Sequence, residues 1–147
     1  MGLGDRRPVS GAVRVIRVGD FVGLPFRDGG RDRRGVDCWG LVRLVYAEAF
    51  GIELPVYGEI SARALLQVAR AIGAGAQADP WARVDVPRCG DVAVMRLPNG
   101  RASGHVGVVV PGGVLHAEAA CGVAVEDMRS PLIAARITGF YRHEALR

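Results

Sequence analysis

Residues 37–51 read DCWGLVRLVYAEAFG, and this stretch decides the fold. Leu41, Val42, Leu44, Val45, Tyr46, Ala49 and Phe50 recur at helical spacing and cover much of the circumference, which predicts a largely buried helix. Asp37 is suited to cap its first turn through a side-chain oxygen, and Gly51 can adopt the left-handed conformation that ends it. The span between them is a helix of about 13 residues, an ordinary length for a globular domain.

Working outward, Phe21 to Val36 contains four glycines, one proline and six charged residues, the composition of a loop. Residues 9–18 fit an extended or a helical segment equally well. Downstream, residues 54–59 form a connector, and residues 60–72, ISARALLQVARAI, repeat the helical pattern with Ser61 as a cap. GAGAQADP then breaks it. Residues 91–97 alternate as a strand does, Pro98-Asn99-Gly100 makes a turn, and residues 105–110, HVGVVV, are the strongest strand signal in the chain. A PGG turn leads into a strand at 114–117, and another is expected at 137–141. Helices come first and an antiparallel meander follows, so the fold class is α+β, with residues 1–147 as a single domain.

Half of the 147 residues are hydrophobic, which predicts an ordinary packed core. No secretory leader and no run of about 20 apolar residues is evident, so the protein is expected to be made in the cytoplasm without a membrane span. The net charge is +4, carried entirely by arginine as the basic residue. Arg27, Arg31, Arg33 and Arg34 cluster before Cys38, but no basic stripe interleaves with aromatic residues. Nucleic acid is therefore not an expected partner. Three cysteines, Cys38, Cys89 and Cys121, form no CxxC pair, and a disulfide framework is not expected.

Cysteine chemistry needs a lowered thiol pKa, a base and donors for an oxyanion. Cys38 follows the cap directly, where unpaired N–H groups and the helix dipole favour a thiolate. Gly40 keeps side-chain bulk away from the approach. The bland reading of Cys38 is a small buried hydrophobe. Of the three histidines, His143 lies in a charged tail and reads as a surface residue. His105 and His116 flank the PGG turn. With a two- or four-residue loop, His116 sits opposite Gly107, and both histidines share a face one diagonal step apart. A three-residue loop puts them on opposite faces. Gly107 leaves room for a ring or a substrate. His105 would then serve as base and His116 would hold its tautomer, while the bland reading is two polar residues on a half-exposed strand. His116, Glu118 and Cys121 form HxExxC, but no second ligand cluster stands at familiar spacing, so neither a metal nor any other cofactor is expected.

Leu24–Gly30 (LPFRDGG), Asp37–Val42 (DCWGLV), Gly90-Asp91, His105–Val109 (HVGVV) and Leu115–Ala117 (LHA) together resemble the NlpC/P60 cysteine peptidases, over about Val22 to Tyr141. The resemblance implies a compact papain-like fold, with the Cys-bearing helix packed on an antiparallel sheet. It also implies hydrolysis of peptide bonds in peptidoglycan stem peptides, with Cys38 as nucleophile, His105 as base and His116 as the third residue. Phe26, Asp37, Trp39 and Gly107 are then expected to border the bound peptide. Phe26 replaces a tyrosine that many members carry, and Trp39 replaces a small polar residue, so it packs in the core or narrows the site. The short form with its arginine-rich stretch is similar to peptidases of phage tails. This implies other tail-tip proteins as partners, a virion location and action at the cell wall. The alternative is a structural tail-tip component with the same fold and little hydrolysis.

Overall fold

The structure is a computed structural model that describes residues 15–54, 81–96 and 103–147. The helix expected at 60–72 and the turn at 98–100 lie outside the described residues. The helix beginning at Cys38 forms as the sequence predicts. An α-helix over Cys38–Val45 (α1) continues as a π-helical turn over Tyr46–Phe50, and Gly51 ends it at φ 66°. The Asp37 side chain accepts the Gly40 N–H at 2.7 Å. Two very short strands, Arg31–Asp32 (β1) and Gly35–Val36 (β2), make a hairpin inside the segment expected to be all loop.

The rest is one antiparallel sheet. Its strands are Trp81–Val84 (β3), Val92–Arg96 (β4), Ser103–Val110 (β5), Gly113–Glu118 (β6), Gly122–Asp127 (β7) and Ile137–His143 (β8), in the order β3-β8-β4-β5-β6-β7. A one-turn helix, Pro131–Ala134 (α2), precedes β8. β3 and β7 were not expected from sequence. β3 is four residues long, and β7 exposes Val125 and ends in two acids, Glu126 and Asp127, so neither carries a long alternating apolar signal.

Both faces of the sheet centre are covered, which explains why HVGVVV is a continuous apolar run. On one face Val92, Val94, Val106, Val108, Val110 and Leu115 pack with Trp39, Leu41, Val42 and Val45 of α1. On the other, Ala93, Met95, Val109 and Val114 pack with Ile133 of α2. Trp39 is completely buried, so of its two expected placements the core is the one it takes.

The β5–β6 turn has two residues, Pro111 and Gly112, with Gly112 at φ 82°, the geometry of a type II turn. Its register pairs Val110 with Gly113, Val109 with Val114 and Val108 with Leu115. Beyond that point β5 continues along β4 and β6 continues along β7, so the two strands part at the level of Gly107 and His116. At the far edge, Gly23 and Leu24 strap β7: the Gly23 N–H donates to the Val123 carbonyl and the Val123 N–H donates to the Leu24 carbonyl, both at 2.9 Å. A side chain at Gly122 would come within 2.6 Å of the Leu24 carbonyl oxygen, so glycine lets the strap lie there.

Gly90-Asp91 has a structural role. Gly90 adopts φ 98°. Asp91, 1% exposed, receives two hydrogen bonds of 2.8 Å from the Arg142 guanidinium and one of 2.7 Å from the Arg88 N–H. This ties β4 to β8. Tyr46 donates its hydroxyl to the Gly90 carbonyl, bringing the helix to the same point. His143 departs from expectation: it is buried, set edge-on to Trp81 at 5.0 Å between ring centroids, with Nδ1 accepting the Ala145 N–H at 3.1 Å. Its tail position hid that it is the last residue of β8, facing the core.

Removing one partner of a buried ion pair strands the other charge, at about 3–5 kcal/mol. Asp91→Ala is therefore expected to lower unfolding stability by about that amount in a urea titration. A loss below about 1 kcal/mol would show that solvent reaches Arg142 freely.

Candidate functional site

The site is built where α1 begins and where β5 and β6 part. Asp37 organises the first element. One oxygen of its carboxylate accepts the Gly40 N–H and an Arg31 guanidinium hydrogen, both at 2.7 Å, and the other accepts the Gly29 N–H at 3.2 Å. The carboxylate expected to border a substrate thus holds the helix cap and the 27–36 loop together. Gly40 is required for a different reason from the one its sequence position suggested. A Cβ there would lie 2.0 Å from the Gly30 carbonyl oxygen, so it is the loop, and not an approaching ligand, that needs the space. Of the clustered arginines, Arg31 serves Asp37. Arg33 binds Glu48 at 2.9 Å and stacks on Phe21, with 5.7 Å to the ring centroid.

Cys38 is 8% exposed, and backbone N–H groups of Val106, Trp39 and Cys38 itself point at its sulfur. Val106 is free to do so because the β5–β6 ladder ends at Val108 and Leu115. These donors favour the thiolate, but burial outweighs them. Desolvation, with the neighbouring Asp37 charge adding to it, pushes the Cys38 thiol up to about 11. The direction is opposite to the one that the helix N-terminus alone predicts.

His105, the residue before Val106, is 7% exposed. Its Nε2 lies 2.9 Å from His116 Nδ1, and the rings meet at 77°. The two-residue turn thus brings both histidines together, as the diagonal-pair geometry requires. Gly107 lies between them. Its missing side chain would meet Val114 at 2.6 Å and the His116 Cβ at 3.0 Å, so the glycine admits β6 side chains. Burial holds His105 down to about 4; the Glu118 charge opposes this, and His116 and Arg136 reinforce it. Burial thus favours the uncharged form of both Cys38 and His105.

Three functional groups escaped the sequence reading or entered it in another role. Glu126 Oε1 lies 3.2 Å from His116 Nε2. Glu118 Oε1 lies 3.4 Å from His116 Nδ1 and 3.6 Å from His105 Nε2, and accepts a hydrogen bond from Arg136 at 2.9 Å. Burial pushes the Glu118 carboxyl up, but Arg136 and the histidines outweigh it and hold it below the usual range. With β7 unrecognised, no signal placed Glu126 beside His116. In the structure His116 pairs with Ala124, and Glu126 is the diagonal neighbour.

His105, His116 and Glu118 present ligand atoms all within 4.8 Å of one another, the one group among the described residues with the composition of a metal site. Cys121, the third member of HxExxC, is exposed and outside it. The atoms of the group already pair with each other and with Arg136. Phe26 is half-buried, bridged to Val36 and packed against the larger core. No helix among the described residues is long and apolar enough to cross a membrane.

A buried cysteine at a helix start, beside a strand that carries a histidine hydrogen-bonded to a second, is an arrangement found in thiol hydrolases. The chain is 28% identical over 113 residues to the Escherichia coli (strain K12) protein named murein DD-endopeptidase MepS/murein LD-carboxypeptidase. That match covers 76% of this chain and 52% of the relative, so the chain spans about half its length. A shorter match, 44% identical over 36 residues, covers 24% of the chain and 20% of a probable endopeptidase NlpC homolog from Haemophilus influenzae. Among solved structures, the NlpC/p60 domain of the peptidoglycan hydrolase SagA superposes with a TM-score of 0.57 at 20% identity, covering 85% of this chain and 92% of that one. An NlpC/P60 family protein from Bacillus cereus ATCC 10987 superposes with a TM-score of 0.60 at 21% identity, covering 86% and 37%. These structural likenesses concern the fold. The sequence profile of the NlpC/P60 family matches residues 23–142, nearly the whole chain, and the protein belongs to that family.

Proposed function

We propose that the protein is a cysteine endopeptidase that hydrolyses peptide bonds of peptidoglycan stem peptides, with Cys38 as nucleophile, His105 as base and His116 as the residue that orients it. The observation that carries this reading is the 2.9 Å bond between His105 Nε2 and His116 Nδ1, on the strand whose next N–H, that of Val106, points at the Cys38 sulfur. Family membership and the printed activities of the relatives supply the substrate class.

The Cys38 thiol gives its proton to His105 as the sulfur attacks the amide carbonyl, and a carbon–sulfur bond forms. The N–H groups of Cys38 and Trp39, at the start of the helix, hold the developing oxyanion. His105 returns the proton to the leaving amine as the carbon–nitrogen bond breaks. Water then attacks the thioester, losing a proton to the same imidazole, and the free acid and thiol are restored. Because the resting pair is uncharged, proton transfer accompanies attack. We place the enzyme in a phage tail or phage-like particle, among other tail-tip proteins, acting at the cell wall; the support is the likeness of the arginine-rich stretch before Cys38 to that of phage-tail peptidases.

Digestion of purified peptidoglycan by wild type and Cys38→Ala, read by mass spectrometry, is expected to release stem-peptide fragments with the wild type only. Equal release by both would sink the Cys38 mechanism. Release by neither would favour a structural tail component.

The uncharged resting pair has its own signature. Alkylation of Cys38 by iodoacetamide is expected to keep accelerating above pH 9, since the thiol is pushed up to about 11. A rate that is flat from about pH 5 to 8 would instead reveal a preformed thiolate–imidazolium pair.

A further inference from the structure

We propose that Glu126 is a positioning residue that sets the tautomers of both histidines, resting on the reading of His105 as base. A neutral imidazole carries one N–H, and a carboxylate only accepts. Glu126 Oε1 lies 3.2 Å from His116 Nε2, so the proton of His116 belongs on Nε2. His116 Nδ1 is then an acceptor, and the 2.9 Å contact to His105 Nε2 is satisfied only if His105 carries its proton there. His105 Nδ1 is left bare. That is the form in which it can accept a proton.

The opposite chain is also built into the site. Glu118 Oε1 lies 3.4 Å from His116 Nδ1 and competes for the same proton. If Glu118 held it, His116 could not accept from His105, and the His105 proton would be driven to Nδ1, which disables the base. Two features tip the balance. Glu126 is the nearer carboxylate, and Arg136 takes up Glu118 Oε1 at 2.9 Å. Strand register makes the competition possible, because Glu118 lies two residues beyond His116 on β6 while Glu126 is its diagonal neighbour on β7.

The test uses the full chain labelled with 15N at histidine, whose ring shifts report which nitrogen carries the proton, together with kcat and KM on purified peptidoglycan fragments. Wild type is expected to show Nε2–H on both rings. Glu126→Ala should move His116 toward the Nδ1–H form and lower kcat by about 10- to 100-fold with little change in KM, as losses of orienting partners typically do. Glu126→Gln, whose amide oxygen still accepts, should keep the wild-type tautomers and most of kcat. Arg136→Met should shift His116 in the same direction as Glu126→Ala by releasing Glu118. Wild-type His116 with Nδ1–H, or tautomers that ignore Glu126→Ala, would overturn the proposal, even if activity fell. A tautomer shift with unchanged kcat would keep the role of Glu126 and remove His105 as the base.

Discussion

Everything around Cys38 depends on the Asp37 carboxylate. One oxygen is shared by the Gly40 N–H and Arg31, and the other holds the Gly29 N–H, so a single buried group fixes the helix start and the loop that crosses it. A capping side chain ordinarily contributes about 1 kcal/mol to a helix. Here it also takes up the Gly40 N–H, while the N–H groups of Cys38 and Trp39 are directed at the sulfur. The same charge adds to burial in raising the thiol pKa, so the group that anchors the helix start also disfavours the Cys38 thiolate. Position and activation pull against each other at this site, and burial settles the resting state in favour of the thiol.

The second constraint is the parting of β5 and β6. A ladder continued past Val108 and Leu115 would consume the Val106 N–H and fill the space at Gly107. Ending it there opens a notch in an otherwise regular sheet, into which the start of α1 brings Cys38 and from which His105 and His116 meet. The turn of Pro111 and Gly112 sets the register, and the register sets the meeting.

Much of this was legible in the sequence. The helix from Cys38 to Phe50, its cap, its left-handed stop and four strands follow from periodicity and turn chemistry, and the pairing of the two histidines follows once the turn length is known. What stayed hidden has physical reasons. β7 runs from a glycine to two adjacent acids and β3 is short, so neither could be recognised, and without β7 Glu126 had no place. His143 looked like a tail residue because its burial comes from Trp81 and Tyr46, which are distant in sequence. The thiol was expected to be acidic because a helix terminus is visible in a sequence, whereas desolvation is a property of the finished core.

The strap of Gly23 and Leu24 along β7 also bears on how copies of the protein meet one another. A sheet edge is a template for another strand, and among the described residues the strap bonds this one at Val123. The other end finishes in Glu126 and Asp127, two acids that any strand arriving from a neighbouring molecule would have to desolvate. The carboxylate that faces His116 is thus also one of two charges that set a desolvation cost on extending the sheet at this edge.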